Sequence, residues 1–188
     1  MSKYEKANNE GKNPLVVILI VGRGAGKSTT MAGVFSKLKS LGVDAEMVTE
    51  FAKELVWENR KDTMKDETYI FAKQAHRIFR VNGQVDVIVT DRPIILTVLY
   101  NNKYGEKSPN LDALVAETFE KYNNVNYFLN RVKEYNPNGR NQTEEESDEI
   151  AEGLLKIMDD YGYDYKILPA DENVVDIIVE DVLKILKN

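Results

Sequence analysis

Apolar runs alternate with amphipathic stretches along most of this chain. The first run, Leu15 to Ile20, is continuously apolar and rich in branched residues, which is typical of a strand buried on both faces. The stretch that follows it has apolar residues at helical spacing and ends at Gly42, a residue suited to a helix C-terminus. The same alternation predicts strands at 15–20, 44–49, 85–90, 125–129 and 165–168, and helices at 27–41, 50–60, 66–81, 94–101, 110–122, 143–158 and 173–186.

Strands that alternate with helices predict an α/β fold. We expect a three-layer, parallel, five-stranded sheet, in which ligands bind at the carboxyl ends of the strands. Residues 14–188 are predicted to form one domain, and the polar residues 1–13 a frayed lead-in. No stretch resembles a signal peptide or approaches the ~20 apolar residues that span a bilayer, so a cytoplasmic protein without membrane contact is expected.

The composition of the chain limits the kinds of binding site that it can contain. The 188 residues include 25 basic and 31 acidic side chains, a net charge of −6, so no protein-wide basic field attracts nucleic acid. The chain has no cysteine and one histidine, which excludes disulfides, thiolate metal sites and a multi-histidine metal centre. A metal, if used, is expected to be Mg²⁺ held by oxygen atoms.

The first strand leads into a glycine-rich segment with the properties of a phosphate-binding loop. Glycines let backbone N–H groups approach a polyphosphate, and the next helix directs its N-terminus at the same charge. Lys27 is predicted to reach the terminal phosphates of ATP, and the Ser28 hydroxyl to bind Mg²⁺. The predicted nucleotide-binding residues are Gly22, Arg23, Gly24, Ala25, Gly26, Lys27, Ser28 and Thr29.

The loop departs from the pattern G-x-x-x-x-G-K-[ST] at one position. Val21 stands where the first glycine is expected, and a glycine follows one place later. A dinucleotide-binding fingerprint fits worse, because it requires glycine where Lys27 stands. The remaining alternative is a glycine-rich turn with an incidental lysine.

Two acidic residues follow predicted strands. Asp91 comes after the strand at 85–90 and is placed to hold Mg²⁺, as a Walker B aspartate does. Glu50 ends the strand at 44–49 and is a candidate general base or second metal ligand. For both acids the alternative is a carboxylate that stabilises the N-terminus of the next helix, and this alternative stays open.

Several basic and polar residues are candidates for substrate contacts. Residues 131–142 carry Arg131, Lys133 and Arg140 and are predicted to form a basic lid, the alternative being a solvated turn. Gln74 and Arg77 are candidates for substrate binding, although a polar helix face explains them equally well. His76 is expected to be structural or exposed, and Trp57, Tyr69 and Phe71 are mostly core candidates, one of which is available to stack on a base.

The residue after Asp91 separates classes of P-loop protein. Hydrolytic motors usually place a glutamate there to polarise water, whereas this chain has Arg92. The sequence D-R-P-I also lacks the glycine of a GTPase D-x-x-G motif. An acid followed by arginine, together with a basic lid, favours a kinase, with Arg92 as a further contact to the acceptor or its phosphate.

Four stretches together resemble a known family. These are VTEFAKELVWE at 48–58, YIFAKQ at 69–74, VIVTDRP at 87–93 and YFLNRVKEYNPNGRNQTEEE at 127–146. They resemble small, mostly phage-borne P-loop proteins related to nicotinamide riboside kinases, thymidylate kinases, deoxynucleoside kinases and kinases of 5-hydroxymethyluracil in phage DNA. The resemblance implies a P-loop core like that of nucleoside and nucleotide kinases, with a short basic lid, and ATP and Mg²⁺ as cofactors. It also implies Glu50 as the acid after the second strand, and Arg131 and Arg140 as catalytic lid arginines.

These observations predict an ATP- and Mg²⁺-dependent phosphotransferase. Its expected acceptor is the hydroxyl of a nucleoside- or nucleotide-like molecule, with 5-hydroxymethylpyrimidine in phage DNA, and hence DNA as a partner, as a further option. Two alternatives remain: an ATP-binding switch with little transfer activity, motivated by Val21, and a plain ATPase. The acceptor, the preference between ATP and GTP, and the oligomeric state are left open.

Overall fold

A computed structural model of the chain describes residues 11–21, 26–104, 107–130 and 144–187. The strands are β1 (Leu15–Val21), β2 (Ala45–Val48), β3 (Val87–Thr90), β4 (Asn123–Asn130) and β5 (Lys166–Pro169). The α-helices are α1 (Lys27–Ser40), α2 (Ala52–Trp57), α3 (Glu67–Phe79), α4 (Leu96–Tyr104), α5 (Pro109–Glu120), α6 (Glu144–Tyr161) and α7 (Val174–Leu186), with a short 3₁₀ helix at Thr63–Lys65.

The five strands form one sheet in the order β2-β3-β1-β4-β5, and every neighbouring pair is parallel. β1 is central and pairs with β4 along its whole length, from Leu15 opposite Asn123 to Val21 opposite Leu129. All five carboxyl ends therefore meet at one edge of the sheet, where the loops that follow β1, β2 and β3 begin. The predicted α/β class and five-stranded parallel sheet are confirmed.

Both faces of the sheet are covered, which gives the fold three layers. Alternate β1 residues Leu15, Val17 and Leu19 pack against α1 and α7 on one face. The intervening residues Val16, Ile18 and Ile20 pack on the other face against α3 to α6. Because both sets are buried, the strand reads as an unbroken apolar run in the sequence.

Local signals set several helix ends. Asp66 caps α3 by accepting a hydrogen bond from the Tyr69 N–H at 2.9 Å, and Ser108 does the same for α5 before Pro109, the first residue of that helix. After α1, Gly42 takes a φ of 81° and the Val43 N–H donates to the Leu38 carbonyl at 3.0 Å. This confirms the predicted glycine-ended helix.

The structure corrects the predictions at residues whose burial differs from the burial that the apolar pattern predicts. Trp57, expected among the core candidates, is 81% exposed, and Phe79, the last residue of α3, is 68% exposed. β4 begins two residues earlier than predicted, because the polar Asn123 and Asn124 pair with β1 without contributing apolar character. In the lead-in, Lys12 pairs with the carboxylates of Asp44 and Asp86, each at 3.0 Å.

Among the helices in the described ranges, none combines the length and apolar character needed to cross a membrane.

Candidate active site

The carboxyl edge of the sheet brings together five residues that the sequence nominates for catalysis or metal and substrate binding. Lys27 and Ser28 open α1 after β1, Glu50 follows β2, and Asp91 and Arg92 follow β3. β1, β3 and β2 are neighbours in the sheet, so residues far apart in the chain become adjacent here. This is the crevice in which open parallel sheets bind ligands.

Gly26 determines how α1 begins. It takes a φ of 73° at the N-cap of α1, in the left-handed region that side chains other than glycine rarely adopt, and its carbonyl accepts the Thr30 N–H at 2.8 Å. Among the described residues no side chain caps this helix, and its first turn carries no acid. An N-terminus without an acidic side chain is compatible with an anionic ligand, as in a phosphate-binding loop.

Glu50 lies between two cations. Its Oε1 accepts a hydrogen bond from Nη1 of Arg92 at 3.3 Å, and its Oε2 lies 4.0 Å from Nζ of Lys27. The second separation is too long for a hydrogen bond, so it is an electrostatic contact. Glu50 and Lys27 are partly exposed, at 24% and 29%, whereas the Arg92 side chain is 3% exposed. Arg92 is thus the buried anchor of the Glu50 carboxylate.

Asp91 is joined to Glu50 through the backbone. Its Oδ1 accepts a hydrogen bond from the Glu50 N–H at 3.2 Å. Burial raises the pKa of the Asp91 carboxyl above its ordinary value, the Lys27 ammonium opposes this rise, and the Glu50 carboxylate adds to it. Two acids share one ammonium group here, an arrangement that favours the binding of a further cation.

Gln74 and Arg77, predicted as substrate contacts, lie on α3 directly behind Glu50. Gln74 is 1% exposed. Its amide oxygen accepts the Phe51 N–H at 2.9 Å and its amide nitrogen donates to the Thr49 carbonyl at 3.4 Å. Arg77 donates to the same Thr49 carbonyl at 3.2 Å. Both side chains are therefore engaged with the turn that carries Glu50.

Arg92 also faces α3 and α4. Its guanidinium lies over the Tyr100 ring, 5.3 Å from the centroid, while its Nε and Nη2 atoms are buried with no hydrogen-bond partner in the described structure. Oε2 of Glu67, at the start of α3, is likewise buried and unpaired. Burial raises the pKa of Glu67 to about 7, an effect that the Arg92 charge opposes. Glu67 was not anticipated from the sequence, where it reads only as a helix-start acid.

An open cavity of about 320 Å³ adjoins Glu50 and Asp91. Its polar end is formed by Ser28, Glu50 and Asp91. Its apolar lining residues are Met31, Ala32, Met47 and Trp57, and Thr49, Lys53 and Glu54 complete the lining. A ligand with a flat ring and a polar group at one end has a complementary shape and polarity.

The polar end of this cavity fits Mg²⁺ in its donor chemistry. The Ser28 hydroxyl and the Asp91 and Glu50 carboxylates supply only oxygen atoms, the ligands that Mg²⁺ prefers. Within the described residues no cluster of three or more acidic or histidine side chains is arranged around a metal position. Mg²⁺ ordinarily takes one or two carboxylates and completes its shell with water and phosphate oxygens, which agrees with this sparse donor set.

The remaining predicted site residues lie outside the described ranges. They are Gly22, Arg23, Gly24 and Ala25 of the phosphate-binding loop, and Arg131, Lys133 and Arg140 of the predicted lid at 131–142. Within the described part, Thr29 is exposed in the first turn of α1. His76 is exposed and stacks on Phe79, as expected of a residue without a catalytic role.

Known proteins resemble this chain in sequence and in fold. The sequence profile of a family described as an AAA domain matches residues 16–174, most of the chain. The chain belongs to that AAA-domain family. A search of curated proteins found no match.

Two solved structures resemble the AAA domain described here. Thymidylate kinase from Ehrlichia chaffeensis has a TM-score of 0.62 at 13% identity, and the likeness covers 93% of this chain and 99% of that one. The YorR protein of Bacillus subtilis, solved in complex with phosphorylated GDP, has a TM-score of 0.54 at 16% identity over 92% of this chain and 95% of that one. At these identities the likeness concerns the fold, and it confirms the predicted P-loop kinase architecture.

Proposed function

We propose that the protein is an ATP- and Mg²⁺-dependent phosphotransferase that moves the γ-phosphate to a hydroxyl group of a nucleoside- or nucleotide-like acceptor. The observation that carries this proposal is the position of Glu50, a partly exposed carboxylate anchored by the buried Arg92 and 4.0 Å from Lys27. A phosphotransferase needs a cation for the phosphates and a carboxylate for the acceptor's proton close together, and these residues supply both.

In this proposal each residue of the site has its own role in the transfer. The N-terminus of α1 and Lys27 bind the ATP phosphates, which draws the ammonium toward the phosphate charge. Ser28 and Asp91 would hold Mg²⁺, which when bound neutralises charge on the phosphates. Glu50 accepts the proton of the acceptor hydroxyl while the oxygen of that hydroxyl forms a bond to the γ-phosphorus. The bond from that phosphorus to the bridging oxygen breaks, and ADP leaves.

The cavity beside Glu50 suits the acceptor. Its apolar lining includes Trp57, which is 81% exposed and so available to stack on a ring. Its polar end presents Glu50 and Asp91, where the reacting hydroxyl would lie. The net charge of −6 favours a free small molecule over DNA as the acceptor. A 5-hydroxymethylpyrimidine in DNA belongs to the same chemical class and is tested alongside.

ATP hydrolysis without an acceptor is a second candidate, because the family is described as an AAA domain. The residue after Asp91 weighs against it. Arg92 is 2% exposed and bonded to Glu50, so it cannot polarise water as the glutamate of a hydrolytic motor does.

A transfer assay with γ-labelled ATP and Mg²⁺ separates these candidates. The acceptors are nucleosides, nucleoside monophosphates, nicotinamide riboside, and DNA with and without 5-hydroxymethyluracil. We expect label on one small-molecule class. Rapid release of labelled phosphate that no acceptor accelerates would identify a plain ATPase. Binding of ATP with neither transfer nor release would identify a nucleotide-dependent switch.

A further inference from the structure

The backbone around Glu50 is held from α3 by a single buried side chain. Oε1 of Gln74 accepts the N–H of Phe51 at 2.9 Å, and Nε2 of Gln74 donates to the carbonyl of Thr49 at 3.4 Å. The two bonded residues flank Glu50 in the chain. The Glu50 N–H donates to Asp91 at 3.2 Å. Three consecutive residues of this turn are thus tied to side chains on other elements.

Neither end of the Gln74 amide is available to a ligand. The residue is 1% exposed, and both its acceptor and its donor are occupied by backbone groups. Arg77, one turn further along α3, strengthens the same contact, since its Nη1 donates to the Thr49 carbonyl at 3.2 Å and its guanidinium lies over the Phe51 ring, 5.1 Å from the centroid. α3 therefore contacts the Glu50 turn at its backbone and its neighbouring ring.

We propose that Gln74 is a positioning residue for Glu50, which fixes the backbone from which the carboxylate reaches the acceptor. This inference rests on the proposed function, because it assigns Gln74 a role through the proposed base. α2 is short, spanning Ala52–Trp57, and its buried residues Ala52 and Leu55 pack with Phe51 against Ile70 of α3. The bonds to Gln74 supply the rigidity that a short helix lacks.

The demand for rigidity comes from the chemistry. A general base acts only when it lies within hydrogen-bond reach of the proton that it accepts, and a displacement of about 1 Å can cost on the order of 10²-fold in rate. Arg92 orients the carboxylate of Glu50, and Gln74 fixes the backbone from which the Glu50 side chain extends. The two contacts together define the direction of the carboxylate.

The test replaces Gln74 by methionine, which keeps the length of the side chain but removes both hydrogen bonds. Gln84→Met is the matched control, because Gln84 is a surface residue whose side-chain amide donates to the nearby Arg80 carbonyl at 2.9 Å. Amide hydrogen exchange over residues 48–54 is measured first and needs no activity. Steady-state kinetics with the acceptor found in the transfer assay follow.

In Gln74→Met we expect faster exchange of the Phe51 amide, a kcat at least about tenfold lower, and a KM for the acceptor within about threefold of wild type, since the loss falls on the chemical step. Gln84→Met should match wild type in both measurements. Unchanged exchange at Phe51, an unchanged kcat, or a raised KM with unchanged kcat would each overturn the proposal, the last in favour of direct substrate binding.

Two further points keep the test decisive. Gln74→Leu also removes both hydrogen bonds and adds no charge to this buried position, so we expect the same loss of kcat, and it replaces Gln74→Met if that variant does not fold. If wild type transfers phosphate to no acceptor, the proposed function fails. The exchange measurement then still shows whether Gln74 holds the turn, and unchanged exchange would overturn the inference separately.

Discussion

Arg92 and Glu50 form a hydrogen-bonded ion pair, 3.3 Å from Nη1 to Oε1, in which the arginine side chain is 3% exposed and the glutamate 24%. The buried partner is fixed by its surroundings and the exposed partner faces the cavity. A planar guanidinium can hold a carboxylate in one orientation, whereas a lysine ammonium cannot, so the pair orients Glu50 as well as neutralising it.

We expect Arg92→Lys to lower kcat about tenfold or more, because the charge stays but the orientation is lost. Arg60→Lys is the control, since Arg60 pairs with Glu58 at the same 3.3 Å but on the surface, and it should have no effect. Glu50→Gln should cost about 10²-fold. If the double variant is no slower than Glu50→Gln alone, Arg92 acts through Glu50; additive losses would contradict this relationship.

Lys27→Ala should abolish transfer. Lys27 is the first residue of α1, and its ammonium lies 4.0 Å from Oε2 of Glu50 and opposes the rise in the pKa of Asp91. Its removal leaves two adjacent acids without their ammonium and the phosphates without a terminal contact. Lys37→Ala, at the other end of the same helix, serves as the control. Turnover of Lys27→Ala within a few-fold of wild type would show that the phosphates bind elsewhere.

Asp91→Asn is predicted to damage metal-dependent turnover while leaving the fold intact. The asparagine keeps an oxygen for the Glu50 N–H but loses the negative charge that Mg²⁺ requires. The measurement is the Mg²⁺ concentration that gives half-maximal rate, which should rise at least about tenfold. Asp86→Asn, at the opposite end of β3, is the control. An unchanged Mg²⁺ dependence would assign the metal to other residues.

Trp57 is the single tryptophan of the chain, so its fluorescence reports on the cavity directly. Addition of the acceptor should quench or shift this emission if the ring stacks on the indole. Trp57→Ala should raise the KM for the acceptor about tenfold, a loss typical of one aromatic stacking contact, and leave the KM for ATP unchanged. A silent emission signal together with an unchanged KM would place the acceptor outside this cavity.

The sequence was sufficient to predict the candidate site residues that follow strands. It was insufficient to predict the role of residues that act through tertiary contacts. Lys27, Glu50 and Asp91 meet because parallel strands share one carboxyl edge, a consequence of the alternating pattern. Gln74 was predicted as a candidate for substrate binding, and its contacts to the Thr49 and Phe51 backbone were missed, since periodicity assigns a helix face but not the backbone that lies opposite. Trp57 was misplaced for the same reason: α2 has an apolar pattern, but none of the elements in the described part of the chain covers Trp57.

Glu67 should make the stability of the protein fall as the pH rises. Burial raises its pKa from the ordinary 4.5 to about 7. The folded state therefore binds a proton that the unfolded state has released between these values. Its contribution to stability is complete below pH 4.5 and is lost as the pH rises through 7, because the buried carboxylate must then ionise.

Glu67→Gln cannot ionise and should remove this dependence. Between pH 5 and pH 8 the free energy of unfolding of wild type should fall relative to that of Glu67→Gln by about 2 to 3 kcal/mol. Urea unfolding of both proteins at the two pH values measures the difference, and contributions from all other titrating groups cancel. Glu172→Gln, an exposed change, should follow wild type. Parallel pH profiles for wild type and Glu67→Gln would show that Glu67 ionises normally, and that Arg92 fully compensates for its burial.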